Sequence, residues 1–165
     1  MFRAGETVNY GTTGVCKIDG VCSRTVAGRS MDYYVLKPCF RDNSTVYVPV
    51  ENEKLVSKMR RILSREEITE LISEMPDVEE KWIDDNTERI KVFKEALSSG
   101  DRRRIVRLIK SIHARGRELA LSNKKLRSSD LSIMNEAEHL LYDEFAFVLN
   151  IKRNEVVPFI TNQLG

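Results

Sequence analysis

Two histidines, three cysteines, one tryptophan and a block of cations are the residues with which this chain could do chemistry. His113 and His139 stand 26 residues apart on different predicted helices and form neither an H-x-x-x-H nor an H-E-x-x-H pair, the spacings that place two imidazoles on one metal. Cys16 and Cys22 fall on one predicted strand. Their separation matches no CxxC pair, and the even offset puts both on one sheet face, which reads as small core thiols. With Cys39 the cysteines are odd in number and no secretion signal accompanies them, so the expectation is reduced thiols. Gly11 to Gly14 (GTTG) lacks the lysine of a phosphate loop and no helix follows it, so it reads as a turn. No nucleophile with a base, no acid–base pair and no ligand cluster assembles from these residues. The reading is a protein that is not an enzyme and needs no cofactor or metal.

Charge is more informative. From Glu74 to Glu88 seven acidic residues face Lys81 alone, a net of −6, whereas from Arg102 to Arg127 ten basic residues face Glu118 alone, a net of +9. A cation run is most often a solvated face. Here Arg103, Arg107 and Lys110 recur at i, i+4 and i+7, and the run continues through Arg115, Arg117, Lys124, Lys125 and Arg127 into a predicted loop, the pattern of a phosphate-binding footprint. Trp82 lies inside the acidic stretch, just before a helix. It is either an anchor on the helical core or a wedge of the kind that unstacks a base step in the minor groove.

These residues need elements to hold them. Thr7 to Tyr10, Val15 to Cys22, Tyr33 to Lys37 and Thr45 to Val48 are short β-rich runs separated by turn formers at Gly11 to Gly14, Ala27-Gly28 and Arg41-Asp42-Asn43-Ser44. Such spacing predicts a small antiparallel barrel or strongly bent sheet, since parallel pairing needs crossover helices for which there is no room. After Pro49 the period becomes helical. Ser64 and Glu67 form a capping box before Ile68, Leu71, Ile72 and Met75, and Pro76 stops that helix. A second helix runs from Asp84 or Asn86 to Leu97 with Ile90, Phe93 and Leu97 inward. Asp101 caps a third, with Ile105, Leu108, Ile109 and Ile112 buried. A fourth starts near Ser129 with Leu131, Met134, Leu141, Phe145 and Val148 inward, and a short fifth is capped by Asn154, with Pro158 in its first turn. The fold class is α+β, an amino-terminal antiparallel β module over residues 1–60 and an α-helical bundle over 61–165, with the boundary near Arg60-Arg61.

Composition agrees with a folded cytosolic protein: 41% of residues are hydrophobic and 32% charged, and no apolar run approaches the ~20 residues of a membrane span.

The order of motifs is that of a known family. Phe2 to Tyr10 reads F-x-x-G-E-x-V-x-Y; Gly14-Val15, Arg24-Thr25-Val26-x-Gly28, Tyr34-Val35-Leu36-Lys37 and Val48-Pro49-x-Glu51-Asn52 follow. Trp82, Arg89, Ser99-Gly100-Asp101 and Ala137-Glu138-x-Leu140-Leu141-x-x-Glu144-Phe145 come later. The chain thus resembles the CarD (CdnL) family of bacterial transcription regulators, whose amino-terminal module is shared with the transcription-repair coupling factor; the helicase motor motifs of that factor are missing. The resemblance implies a Tudor-like β-barrel that binds the RNA polymerase β subunit by pairing a strand edge, with Arg24, Val26, Tyr47 and Pro49 as the polymerase-binding residues, Tyr47 standing where many relatives are basic. It implies a helical domain on upstream promoter DNA, touching minor groove and phosphates, that stabilises the open complex. Its DNA-binding residues would be Trp82, Arg89, Arg103, Arg107, Lys124 and Arg127. Counting back without gaps from the Ser99-Gly100-Asp101 turn puts Asn86 in the tryptophan position, and Leu131 stands near a lysine of the relatives. No membrane and no small-molecule substrate is implied, and a polymerase adaptor whose helices grip another protein is the alternative.

Overall fold

The computed structural model describes residues 1–40 and 43–165, and its contacts divide the chain into two compact units, Met1–Ile62 and Leu63–Gly165. The first unit is a five-stranded antiparallel sheet: β1 (Thr7–Tyr10), β2 (Gly14–Val26), β3 (Arg29–Pro38), β4 (Val46–Pro49) and β5 (Met59–Arg61), with a short helix α1 (Glu53–Val56) before the last strand. The spatial order is β4-β3-β2-β1-β5, so β4 and β5 are opposite edges of an open sheet where a barrel was expected. Val8, Cys16, Ile18, Tyr34, Leu36, Val48 and Met59 form its core, and Phe2 sets its ring edge-on to Tyr34 at 5.8 Å. Ala27 and Gly28 close the β2–β3 hairpin with φ of 51° and 78°; a two-residue type I′ turn requires positive φ at both positions, which glycine adopts freely.

Two sequence expectations change in this unit, and a third falls partly outside the described residues. The chain beyond Pro49 is not all helix, because Met59–Arg61 pairs with β1 (Val8 opposite Arg61, Tyr10 opposite Met59) and buries Met59. The expected boundary at Arg60-Arg61 therefore lies inside a strand. Cys16 and Cys22 do not share a face, because β2 carries a bulge between Ile18 and Gly20 that inserts one extra residue and shifts the parity of everything beyond it; Cys16 is fully buried and Cys22 is partly exposed. The turn expected at 41–44 lies, at positions 41 and 42, outside the described residues.

The second unit is helical: α2 (Arg65–Glu74), a 3-10 turn (Met75–Asp77), α3 (Asn86–Ser99), α4 (Arg102–Leu121), α5 (Ser128–Leu149), a 3-10 turn (Arg153–Glu155) and α6 (Val156–Leu164). The capping box forms, Ser64 Oγ accepting from the Glu67 N–H and Glu67 Oε1 from the Ser64 N–H, each at 3.1 Å. Asp85 caps α3, Gly100 ends it in the left-handed region at φ 70°, and Asp101 caps α4 by accepting from the Arg103 and Arg104 N–H groups. Ala137, Leu141 and Phe145 of α5 lie at the centre of a core that α2, α4 and α6 complete with Ile68, Ile72, Leu108, Ile112 and Val156. Two details differ from expectation. Leu131 is exposed, its neighbours Asp130, Ile133 and Met134 facing inward instead, and α6 opens from a 3-10 turn after Glu155 so that Asn154 is not its cap. No described helix is long and apolar enough to cross a membrane.

Candidate functional site

On the sheet, the bulge decides which side chains face away from the core. Register pairs Arg24 with Met31, Cys22 with Tyr33, Val35 with Tyr47 and Tyr33 with Pro49, and these rows lie opposite buried Tyr34, Leu36 and Val48. Arg24, Val26, Tyr47 and Pro49 therefore share one outward face. The Arg24 guanidinium lies 4.0 Å from the centroid of the Tyr47 ring, which meets Tyr33 edge-on at 6.4 Å. Val26 is half exposed and Tyr47 39% exposed. An arginine on an aromatic platform, beside the edge strand β4, is the composition of a protein-recognition surface, and such an edge can accept a further strand.

In the helical unit the expected DNA residues separate. Arg89 is the clear correction: its side chain is 2% exposed, it forms two hydrogen bonds with Asp130, both at 3.0 Å, and it donates to the Ile83 and Asp84 carbonyls and to Asn86 Oδ1. A guanidinium so enclosed has no donor to offer a phosphate. Trp82 is partly buried against the helical core, edge-on to Phe93 at 6.3 Å, with the Arg89 and Arg115 guanidinium carbons 4.3 and 5.5 Å from its centroid. It does not protrude. Arg103 is 64% exposed but reaches Glu74 at 3.4 Å, Arg102 is held by Glu144, and Lys110 donates to the Met75, Pro76 and Val78 carbonyls. The stripe Arg103, Arg107, Lys110 is thus interrupted by local bonding.

Arg103 and Arg107 lie toward the amino-terminal end of α4, whereas Lys125 and Arg127 fold back beside Arg115, which at 1.5 Å per residue is about 12 Å along the helix axis from Arg107 and about 18 Å from Arg103. The second cation group converges on the tryptophan. Trp82, Asn86 and Leu126 line a groove of about 290 Å³ whose walls carry Arg115, Lys125 and Arg127 together with Asp84 and the Arg89-bound Asp130; Arg115 also pairs with Glu118 at 3.1 Å, while Lys124 is exposed in the same loop. Loop cations beside a partly buried indole suit a polyanion that also offers a flat apolar surface. Cys16 and Cys39 join neither site, while Cys22 lies on the outward sheet face beside Arg24. Partial burial pushes the Cys39 thiol up despite Lys17 nearby, the opposite of an activated nucleophile.

Comparison with protein families decides the first unit: residues 2–63 match the model of the CarD-like/TRCF RID domain. The amino-terminal unit is a CarD-like RID domain. It is the RNA polymerase-interacting domain shared with the transcription-repair coupling factor, and the chain is a CarD-like, RNA polymerase-interacting, transcription-related protein.

In this CarD-like chain, sequence reasoning missed two buried ion pairs. Arg89 sits at i, i+4 and i+7 with Phe93 and Ala96, all three buried, so its place on the inward stripe of α3 was a readable signal. Glu144 is fully buried in α5, taking Arg102 in two bonds of 3.0 and 2.6 Å and the Leu63 N–H at 2.9 Å. No local pattern announces that pairing, because its partners are 42 and 81 residues away.

Proposed function

We propose that this CarD-like chain is a non-enzymatic cytosolic transcription regulator. It docks on the polymerase β subunit through the Arg24–Tyr47 face and the β4 edge, and it sets the Trp82 groove of the helical unit, residues 63–165, on upstream promoter DNA, stabilising the open complex. The observation that carries the DNA half is the convergence of Arg115, Lys125 and Arg127 on the only tryptophan of the chain. The polymerase half is supported by the RID match together with an outward face holding all four candidate residues. Each contact need not be strong, because docking raises the effective concentration of the helical unit at the promoter. Phosphate contact supplies affinity without sequence choice, so Arg115, Lys124, Lys125 and Arg127 position the groove, and the exposed edge of Trp82 meets the minor groove. Arg103 and Arg107 stand apart from that contact.

The test uses the full chain and two variants. Arg24→Glu should weaken capture of purified polymerase and of its isolated β subunit. The double change Lys125→Glu/Arg127→Glu should leave capture intact and lower the slope of log affinity for promoter DNA against log salt by about 2, at roughly 0.9 per lost phosphate contact. An unchanged slope would mean that the helices grip a protein instead.

A further inference from the structure

The cations at the amino-terminal end of α4 remain unused by this function. We infer that they form, with α3 and the strap over residues 81–83, a binding site for a small organic carboxylate with an aromatic or branched aliphatic body. The cavity there is about 240 Å³, room for about eight waters at ~30 Å³ each, and thus for one ring with a short chain. Its floor is Phe93, Ala96 and Leu108, each less than a tenth exposed, and Ile83 and Val92 wall it.

The rim has the opposite character. Lys81, Arg104 and Arg107 line it against the single carboxylate of Glu88. Arg102, Arg103 and Lys110 on the same helix are engaged with Glu144, Glu74 and backbone carbonyls, whereas Arg104 and Arg107 make no side-chain hydrogen bond or ion pair among the described residues. At i and i+3 they project from one side of α4, so both guanidinium groups can reach one anion.

The depth of the site supplies an independent observation. Ser111 is 2% exposed and lines the cavity; its Oγ accepts the Lys81 N–H at 2.8 Å, and its own hydroxyl proton finds no acceptor among the described residues. Helix hydroxyls in this unit commonly donate, as the more exposed Ser98 and Ser99 do to carbonyls three residues back, and a buried one needs such an acceptor more. An anion entering from the rim supplies that acceptor. The strap is fixed at both ends, by the Ser111 bond at Lys81 and by the Arg89 bond to the Ile83 carbonyl at 2.9 Å, so the site is preformed.

The probe is 3-phenylpropionate, with uncharged 3-phenylpropionamide as control, titrated into the full chain and followed by the backbone amide resonances of Val92, Ala96 and Leu108. The carboxylate should bind saturably and the amide about tenfold more weakly, because the charge-assisted bonds are lost. Arg104→Gln/Arg107→Gln, a surface change, should keep the melting temperature and abolish the preference for the carboxylate. Val92→Trp, which fills the cavity from a partly exposed wall, should remove binding of both. Absence of saturable shifts with the carboxylate, equal binding of acid and amide to the unaltered chain, or a persistent preference in the Gln variant would each overturn the assignment. None of these results depends on polymerase or DNA.

Discussion

Replacing Arg89 by alanine separates a pillar of the fold from a contact with DNA. The guanidinium and the Asp130 carboxylate are both about 2% exposed and share two hydrogen bonds of 3.0 Å. Removing one member strands the other charge in the core, which costs about 3–5 kcal/mol. The Ile83 and Asp84 carbonyls lose a donor and Trp82 loses a stacked cation; these losses overlap with the first, so about 4 kcal/mol is the working total. For a helical unit of roughly a hundred residues, at about 4 °C per kcal/mol, the melting temperature should fall by roughly 15 °C. Urea unfolding followed by tryptophan fluorescence reads this directly, because Trp82 is the only tryptophan and lies on the affected side chain. Arg89→Met with Asp130→Leu should recover most of the loss, since a buried pair replaced by apolar groups of similar volume is close to neutral. A single variant as stable as the parent, with a salt slope for DNA binding lower by about 0.9, would make Arg89 a phosphate ligand and refute the reasoning. A double variant no better than the single would refute the pair as the source of the loss.

Glu144→Gln should cost about 3 kcal/mol by leaving Arg102 half-compensated, as read by urea unfolding, with capture of polymerase unchanged. Trp82→Ala should cost about 2 kcal/mol, less than the ~3–5 kcal/mol of a fully buried aromatic; Trp82→Phe should restore most of that stability but still shorten the lifetime of open promoter complexes in a competitor-challenge assay. Burial pushes the Tyr142 hydroxyl up, with Glu138 adding to the shift and Arg153 opposing it. The folded chain thus holds this proton more tightly than the unfolded one. That contribution is intact below about pH 10 and is lost as pH rises through the folded value, so Tyr142→Phe should flatten the alkaline fall in stability.

Long elements with strong periodicity were legible because their signals are local. The Ser64–Glu67 box, the Gly100 stop and the Asp101 cap are written within four residues of the bonds they make. Met59–Arg61 was not, because a three-residue strand exists through its pairing with β1 and has no periodicity of its own. The same holds for faces on β2: alternation counted from Cys16 places Cys22 with the core, and one bulged residue reverses the count. Among the candidate site residues, Arg24 and Tyr47 were named from the family resemblance, yet their stacking across two strands is a product of register. Arg89 was misassigned because a charge is read as solvent-facing unless its partner is known, and Asp130 lies 41 residues away.

The stacking of Arg24 on Tyr47 has a consequence for the timing of an entropy loss. An arginine free in solvent surrenders rotamer freedom when a partner immobilises it, about 0.5–1.5 kcal/mol for a long side chain at an interface. Here the guanidinium is already seated 4.0 Å from the ring, so much of that loss falls on folding, before polymerase arrives. On the proposed docking face, Tyr47 would thereby strengthen docking by up to about tenfold beyond its own contact with the partner, and would do so through the dissociation rate. A basic residue at this position would make the opposite trade: a second cation would quicken encounter with an acidic surface and fade with salt, but would leave its neighbour to be ordered at the moment of contact.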